Sequence, residues 1–318
     1  MIHSVAVLGA GAVGSYIIWG ISSLDDVELG VIAQGDRADR IKKNGCLING
    51  KVYHPKVWTP GEAKKADLLV VALKYNALLS ALPDIKEAVG EDTIVMSLMN
   101  GVDSEEIIAK EVGSYHLLYS VIKIASHKEG EDYCFEPETT IGIIYGEQEP
   151  PYDSERVQDI KRLFKRTKIH FRSTEYIREE IWSKYRLNVC NNLPQAILGA
   201  GVGCYRDSIH MKAISDKLKD ELEAIALAKG IDMSKVENTS AQRCAVSPGA
   251  RYSTLQDLDA GRQTEIEMFS GALIRMGKEL GVPTPYNEYT YHMIKALEEK
   301  NEGVFDYNSE NESPIMFK

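Results

Sequence analysis

The sequence has few of the features that would place its 318 residues in a membrane or on nucleic acid. No apolar run approaches the roughly 18 residues of a transmembrane helix, and no signal-peptide pattern precedes the first predicted strand. The 37 lysines and arginines are outnumbered by 47 aspartates and glutamates. The net charge of −10 argues against a nucleic-acid partner, which needs a basic face. We therefore expect a cytoplasmic protein with neither a membrane nor a nucleic-acid partner.

Cysteine is also scarce, and its distribution indicates neither disulfides nor a metal site. The sequence has no Cys-x-x-Cys pair and no histidine at metal-ligand spacing from a cysteine. We expect no metal site, and reduced thiols that are mostly buried as small apolar groups. The five cysteines are Cys46, Cys134, Cys190, Cys204 and Cys244.

What the sequence does have is a glycine-rich pattern at its N-terminus. The apolar run 4–8 leads directly into Gly9-Ala10-Gly11-Ala12-Val13-Gly14, and a helical pattern follows. In a strand–turn–helix unit the first glycine permits the tight turn, the second lets the backbone approach a pyrophosphate, and the third allows close packing. The pyrophosphate would lie at the helix N-terminus, where N–H groups and the helix dipole favour negative charge. The pattern predicts a dinucleotide site, with an ordinary tight turn as the alternative.

The end of the second predicted strand, 27–33, bears on the choice of dinucleotide. An NAD-specific site typically has an acidic residue here, which binds the ribose 2′-hydroxyl. This chain has Gln34 instead, and the first cation after it is Arg37. Because a cation suits a 2′-phosphate, we favour NADP (as NADPH) over NAD, with a solvated basic helix as the alternative.

Two further apolar runs, 66–74 and 93–101, are typical of strands buried on both faces of a parallel sheet. Lys74 and Asn100 stand at their ends, and the carboxyl edge of such a sheet is where ligands bind. Strand and helix signals alternate up to about residue 172. This alternation predicts an open, mostly parallel α/β sheet of Rossmann type over 1–172. Its other strands are expected at 117–125, 141–145 and 168–171.

Helical periodicity replaces the strand signals from residue 173, which predicts a helical domain over 173–318 that ends in a polar tail. Lys184, Asn188 and Asn192 recur every four residues, a spacing that puts them on one helix face. Asparagine gains nothing on a solvated helix face, so we interpret the column as lining a cleft, with an exposed polar stripe as the alternative. Ser253 fits a capping box at a helix start. Gly261, inside the same predicted helix, indicates close packing there.

With these residues in view, the chain resembles the ketopantoate reductase (2-dehydropantoate 2-reductase) family over nearly its whole length. The resemblance implies a Rossmann-type N-terminal domain and an all-α C-terminal domain like that of 6-phosphogluconate dehydrogenase. It implies NADPH-dependent reduction of 2-dehydropantoate to (R)-pantoate, in pantothenate and coenzyme A biosynthesis, and a possible homodimer. It rests on the glycine pattern, on 72–74, 100–101 and 182–184 with the two asparagines, and on 253–257 and 261–266.

The resemblance also implies residue roles. Lys184 would donate a proton to the ketone oxygen, and Glu265 would lie near the reacting groups. A lysine suits that role on chemical grounds, because a ketone that accepts hydride needs a proton or a nearby positive charge. Substrate would be held by Asn100, Asn188, Asn192 and Ser253, and the cofactor would also contact Lys74, Asn100 and Ser126. Two alternatives are a related dehydrogenase for another small 2-keto or 2-hydroxy acid and a non-catalytic dinucleotide sensor.

Overall fold

The computed structural model describes residues 1–236 and 247–305, which form two compact units. The first unit comprises Met1–Tyr185 and the described part of 230–244. The second comprises Arg186–Lys229 and the described residues from 247 onward. The division by packing therefore falls after Tyr185, and the domain division at 172 stays a prediction. The predicted polar tail lies outside the described residues beyond 305.

All strands that the described residues form belong to the first unit. They are β1 (Ser4–Leu8), β2 (Glu28–Ile32), β3 (Cys46–Ile48), β4 (Lys51–Tyr53), β5 (Lys56–Trp58), β6 (Leu68–Val71), β7 (Ile94–Ser97), β8 (Tyr119–Lys123), β9 (Ser126–Glu129), β10 (Asp132–Phe135), β11 (Gly142–Gly146) and β12 (Phe171–Ser173).

The main sheet has five parallel strands in the order β5-β2-β1-β6-β7. Alternate residues of β1 enter two different cores: Val5 and Val7 pack on one face, and Ala6 and Leu8 on the other. This two-sided burial explains why residues 5–8 of β1 are apolar without interruption. β1 lies between β2 and β6, and both of these strands come after it in the sequence. The order of strands therefore progresses in opposite directions on the two sides of β1, and open α/β sheets bind ligands at such a point.

Two smaller sheets complete the unit, with the orders β4-β3-β10-β9 and β12-β11-β8. The predicted strands at 117–125 and 141–145 are confirmed as β8 and β11, which pair antiparallel. The last strand is Phe171–Ser173, so its predicted span of 168–171 was wrong. The reason is that the backbone N–H of His170 donates to the Tyr16 hydroxyl (2.9 Å) and not to a neighbouring strand.

Seven α-helices connect these strands or follow them, and the seventh continues into the second unit. Within the described residues, no helix combines the length and the apolar character needed to cross a membrane. The helices are α1 (Ala12–Ile21), α2 (Gly35–Asn44), α3 (Pro60–Ala63), α4 (Leu78–Ala88), α5 (Ser104–Val112), α6 (Glu155–Phe164) and α7 (Ile177–Leu187).

All regular secondary structure that the described residues of the second unit form is helical, as the sequence predicted. Its helices are α8 (Leu193–Leu198), α9 (Cys204–Asp207), α10 (Ile209–Ala228), α11 (Ser253–Asp259), α12 (Ala272–Leu280) and α13 (Pro285–Asn301), and it contains two π-helical turns, Asn188–Asn192 and Glu267–Gly271.

Two predictions about α11 were wrong. Ser253 is the first residue of the helix and not its cap, because Tyr252 occupies the N-cap position without a side-chain hydrogen bond. Gly261 lies beyond the helix end at Asp259 and has φ +62°, and a Cβ added to it would meet nothing within 4 Å. This glycine therefore serves the left-handed backbone conformation of the turn and not close packing.

Candidate active site

The three glycines of the N-terminal turn differ in what the protein itself requires of them. Gly9 has φ +103°, and a Cβ there would lie 2.5 Å from the carbonyl oxygen of Ala72. A Cβ on Gly14 would overlap the carbonyl of Gly9. Gly11, by contrast, has φ −89°, and nothing lies within 4 Å of the position of its missing Cβ. The protein's own packing therefore requires Gly9 and Gly14, while Gly11 leaves open space that a ligand can enter.

That open space adjoins the N-terminus of α1. Gly11 is the N-cap residue of this helix and provides no side chain to bind its first N–H groups. The first turn, which includes Ala12 and Val13, contains no acidic residue. Free N–H groups, a helix dipole and an uncrowded approach together suit the pyrophosphate of a dinucleotide. The residues present therefore fit such a cofactor.

Four of the predicted site segments follow neighbouring strands of the main sheet. Because these strands are parallel, their carboxyl ends lie at one edge, in the order Gln34 after β2, the glycine turn after β1, Lys74 after β6 and Asn100 after β7. The loops after β6 and β7 are joined directly, since the Tyr75 hydroxyl donates to Asp103 Oδ2 (2.8 Å). Ser126 is not part of this row, because it begins β9 in the four-stranded sheet.

Gln34 and Arg37 are both exposed at the start of α2. The Gln34 amide donates to Asp84 Oδ1 (3.3 Å), so a carboxylate does stand beside this strand end, although the strand end itself has Gln34 in place of an acidic residue. Within 1–236 and 247–305, the guanidinium of Arg37 forms no ion pair. The segment thus offers a cation suited to a 2′-phosphate and a carboxylate suited to a ribose hydroxyl.

Lys184 contacts Asn100, a residue of the loop that follows β7 at this edge of the sheet. Its Nζ donates to Asn100 Oδ1 (2.7 Å), and both residues are half-buried. A lysine held in this way presents a charged N–H donor of defined position, which is what protonation of a nascent alkoxide requires. The sequence predicted both residues as site residues, and the structure brings them together.

A buried ion pair holds the helix that carries Lys184. Glu180, one turn earlier in α7, accepts from Lys123 Nζ (2.9 Å), and the side chains of Glu180 and Lys123 are 3% and 12% exposed. Arg172 also pairs with Glu180. Sequence reasoning missed Lys123 and Glu180, because they lie 57 positions apart and carry no local motif.

In the second unit, Asn192 joins the start of α11. Its amide nitrogen donates to Ser253 Oγ (3.0 Å), and its amide oxygen accepts from the backbone N–H of Thr254 (3.2 Å). Gln195, which is fully buried, supports the same segment by donating to the Ala250 carbonyl (2.9 Å) and accepting from the Tyr252 N–H (2.8 Å). Sequence reasoning did not identify Gln195, whose role depends on contacts with a distant loop.

Asn188 is different, because its amide nitrogen is buried and has no hydrogen-bond partner among the described residues. The residue is only 9% exposed. Leaving such a donor unsatisfied costs about 1–3 kcal/mol, so this amide is available to donate to an ordered water or to a ligand.

The sequence predicted that Lys184, Asn188 and Asn192 lie on one face of a regular α-helix. That prediction was wrong, because α7 ends at Leu187. Asn188–Asn192 form a π-helical turn, whose hydrogen bonds span five residues and change the angular spacing of side chains. The second π-helical turn, Glu267–Gly271, contacts the first. Such turns occur frequently at functional sites.

Glu265 is half-buried and stands just before the second π-helical turn. The adjacent Thr264 is fixed by Glu298, whose Oε1 accepts from both the backbone N–H and the hydroxyl of Thr264 (2.7 Å each). Burial acts to raise the pKa of Glu298, but hydrogen bonds from Lys295 and Thr264 outweigh it and lower that pKa. An ionised carboxylate therefore anchors the backbone that carries Glu265.

Comparison with known proteins places these features in one family. The family model described as "Ketopantoate reductase PanE/ApbA" matches residues 5–142, and the corresponding C-terminal model matches 176–298. A 2-dehydropantoate 2-reductase of Pyrococcus horikoshii is 29% identical over 303 residues, which cover 92% of this chain and 97% of that protein.

Solved structures show the same fold. D-mandelate dehydrogenase, in a ternary structure with NADH and anilino(oxo)acetate, matches with a TM-score of 0.80 and 21% identity over 94% of this chain and 99% of that one. A dimeric ketopantoate reductase from Staphylococcus aureus matches with a TM-score of 0.74 and 18% identity over the same shares. The Rossmann-type first unit and the helical second unit are thus shared with oxidoreductases.

Proposed function

The chain belongs to the ketopantoate reductase family, whose members are oxidoreductases, and we propose that it reduces 2-dehydropantoate to (R)-pantoate with NADPH. The reaction is a step of pantothenate and coenzyme A biosynthesis. The observation that carries the proposal is the hydrogen bond from Lys184 to Asn100, at the sheet edge where the glycine turn lies. It supports a proton donor beside a dinucleotide site.

Reduction of a ketone needs hydride at carbon and a proton at oxygen. When bound, the nicotinamide cofactor supplies the hydride. Lys184 donates the proton to the ketone oxygen, and Asn100 orients its ammonium group. A positioned general acid of this kind contributes about 10²–10⁴-fold to the rate of the reaction. Glu265 is assigned to the same reaction as a neighbour of the reacting groups, on the basis of the family resemblance.

The substrate is a small 2-keto acid with a carboxylate and a hydroxyl that accept hydrogen bonds. The unsatisfied amide nitrogen of Asn188 is suited to donate one of these bonds. Asn192 and Ser253, already bonded to each other, complete the proposed polar group. We assign these residues, with Asn100, to substrate binding.

We assign cofactor binding to the glycine turn, Gln34, Arg37, Lys74, Asn100 and Ser126. In this assignment Arg37, exposed in the first turn of α2, binds the 2′-phosphate of NADPH. Asp84 favours the opposite preference, because a carboxylate hydrogen-bonded to Gln34 suits the 2′-hydroxyl of NADH. Comparison of the two reduced cofactors therefore belongs in any assay of this protein.

A second candidate is the reduction of another 2-keto acid. It is favoured by the fold shared with D-mandelate dehydrogenase, whose structure contains NADH and the 2-oxo acid analogue anilino(oxo)acetate. A non-catalytic sensor is less well supported, since binding alone does not require a lysine held by Asn100. The dimeric relative from Staphylococcus aureus supports a homodimer, and we place the protein in the cytoplasm.

The Lys184→Ala variant tests the proposed chemistry. We expect kcat with NADPH and 2-dehydropantoate to fall by about 10²-fold or more, because the general acid is removed. Binding of NADPH, measured by fluorescence titration, should change little, since the glycine turn is untouched. Lys212→Ala serves as a matched control, because that lysine is 67% exposed on α10. Turnover by Lys184→Ala close to that of the control would remove Lys184 from its assigned role.

A further inference from the structure

Three side chains on the hairpin formed by β9 and β10 gather nitrogen, oxygen and sulfur donors at one point. His127, Glu129 and Cys134 each offer an atom, and these atoms all lie within 4.8 Å of one another. His127 Nε2 and Glu129 Oε1 are already 3.0 Å apart. We propose that this hairpin face binds a divalent first-row transition metal, with Zn²⁺ as the best match, through these three residues. The proposal is independent of the reductase activity.

The strand register explains why these residues meet. β9 and β10 are antiparallel, with Cys134 opposite His127 and Asp132 opposite Glu129. Opposed residues share a face of a sheet, and so do alternate residues along one strand. All four side chains are therefore presented on the same face. Sequence spacing alone predicted no metal site, because the pairing of the two strands, and not a local motif, brings Cys134 to His127.

The donor set selects the class of metal. Imidazole, carboxylate and thiolate are the ligands of Zn²⁺, whereas Mg²⁺ and Ca²⁺ prefer oxygen alone. Tetrahedral bonds to Zn²⁺ of about 2.0–2.3 Å imply ligand atoms roughly 3.3–3.8 Å apart, so the widest pair must approach by about 1 Å. Side-chain rotation can supply this, since His127 and Glu129 are 58% and 71% exposed. Three protein ligands leave a fourth position for water.

Asp132 provides a second indication that a cation belongs here. Its Oδ1 is buried and has no hydrogen-bond partner among the described residues, while its Oδ2 accepts from the backbone N–H of Gly50 (2.7 Å). A dication bound on the same face would place positive charge on the side of the hairpin that carries this orphaned oxygen.

The hairpin is also held in place, which lowers the cost of assembling a site. The side chain of Asn49, in the turn between β3 and β4, donates to the Phe135 carbonyl (3.0 Å) and accepts from the Phe135 N–H (2.9 Å). β10 in addition pairs with β3. The ligand-bearing strands are thus bound to the β3–β4 hairpin of the same sheet, and only side chains need to move on metal binding.

The test is a titration of the tag-free, chelator-treated full chain with Co²⁺, followed by displacement with Zn²⁺. We expect one equivalent to bind with a thiolate-to-Co²⁺ charge-transfer absorption band that Zn²⁺ abolishes. Cys134→Ser should remove the band, and His127→Gln and Glu129→Gln should each weaken binding by about tenfold or more. Cys204→Ser is the matched control, because that half-buried cysteine lies in α9, outside the hairpin.

Circular dichroism of each variant shows whether it is folded. If Cys134→Ser is unstable, the substitutions at the exposed residues His127 and Glu129 still test the site, because weaker Co²⁺ binding can be measured on a folded protein. The absence of a charge-transfer band from the wild-type chain would overturn the proposal. So would a band that survives Cys134→Ser and disappears in Cys204→Ser, since the thiolate ligand would then lie elsewhere.

Discussion

Glu105 is a buried carboxyl group whose replacement by glutamine should stabilise the protein in a pH-dependent way. It lies in the first turn of α5 and is only 3% exposed. Burial raises its pKa from 4.5 to about 7, although hydrogen bonds from Ser104 and from the backbone of Glu105 and Ser120 act in the opposite direction. No cation is among the causes of this shift. At pH 8 the folded protein therefore contains a buried charge.

The magnitude follows from the difference between the two pKa values. The interval from 4.5 to about 7, at about 1.4 kcal/mol per pKa unit, amounts to about 3 kcal/mol. The folded pKa of this acid is raised, so the unfolded state loses its proton first as pH increases. Folding stability is therefore complete below pH 4.5, declines between 4.5 and about 7, and stays reduced above that pH.

We expect Glu105→Gln to raise the free energy of unfolding by up to about 3 kcal/mol at pH 8 and to change it little at pH 4.5. The neutral amide can be accommodated, because Ser97 and Ser104 are 2.8 Å apart and either hydroxyl can donate. Urea unfolding at both pH values measures the difference, with the neighbouring exposed Glu106→Gln as the control. An equal effect at both pH values, or a loss of stability at pH 8, would refute the argument.

Three further predictions concern ligand binding. Gly11→Ala should weaken NADPH binding about tenfold or more in an equilibrium titration. It should cost at most about 1 kcal/mol of stability, since the new Cβ meets no protein atom. Gly14→Ala is the contrasting variant and should unfold at a much lower temperature, because its Cβ would overlap a carbonyl. Arg37→Ala should weaken NADPH binding at least about tenfold more than NADH binding; equal losses would show that Arg37 does not bind the 2′-phosphate. Asn188→Ala should raise KM for the keto acid without destabilising the protein, because its amide nitrogen has no partner in the described structure; an unchanged KM would exclude it from substrate binding.

The sequence predicted the main sheet well, because burial on both faces leaves a clear signal. β1, β2, β6 and β7 are apolar except for a polar residue at one end of β1, β2 and β7, and each was predicted within a few residues of its observed span. The short edge strand β5 was not predicted. β9 and β10 were not predicted, because they are short, largely polar strands stabilised by pairing with each other and with β3. Their existence depends on contacts that no local pattern encodes.

The candidate site shows the same limit. Lys184 and Asn100 could be identified individually, one from a polar column in a helix and the other from its place at a strand end. The ion pair of Lys123 with Glu180, and the support that Gln195 gives to the segment before Ser253, could not. Each joins residues that are dozens of positions apart in the sequence. The π-helical turn at Asn188–Asn192 was missed because the spacing of side chains is compatible with an ordinary α-helix.

The most direct test of the proposed function is the initial rate of NADPH oxidation by the wild-type protein with 2-dehydropantoate. This rate is compared with the rates for phenylglyoxylate and for branched 2-keto acids other than 2-dehydropantoate. We predict saturable turnover with 2-dehydropantoate and a kcat/KM at least about tenfold above that of each alternative, a preference of about 1.4 kcal/mol in transition-state binding. The absence of turnover with 2-dehydropantoate, together with efficient reduction of another acid, would contradict the proposed substrate and leave the reductase chemistry to the second candidate.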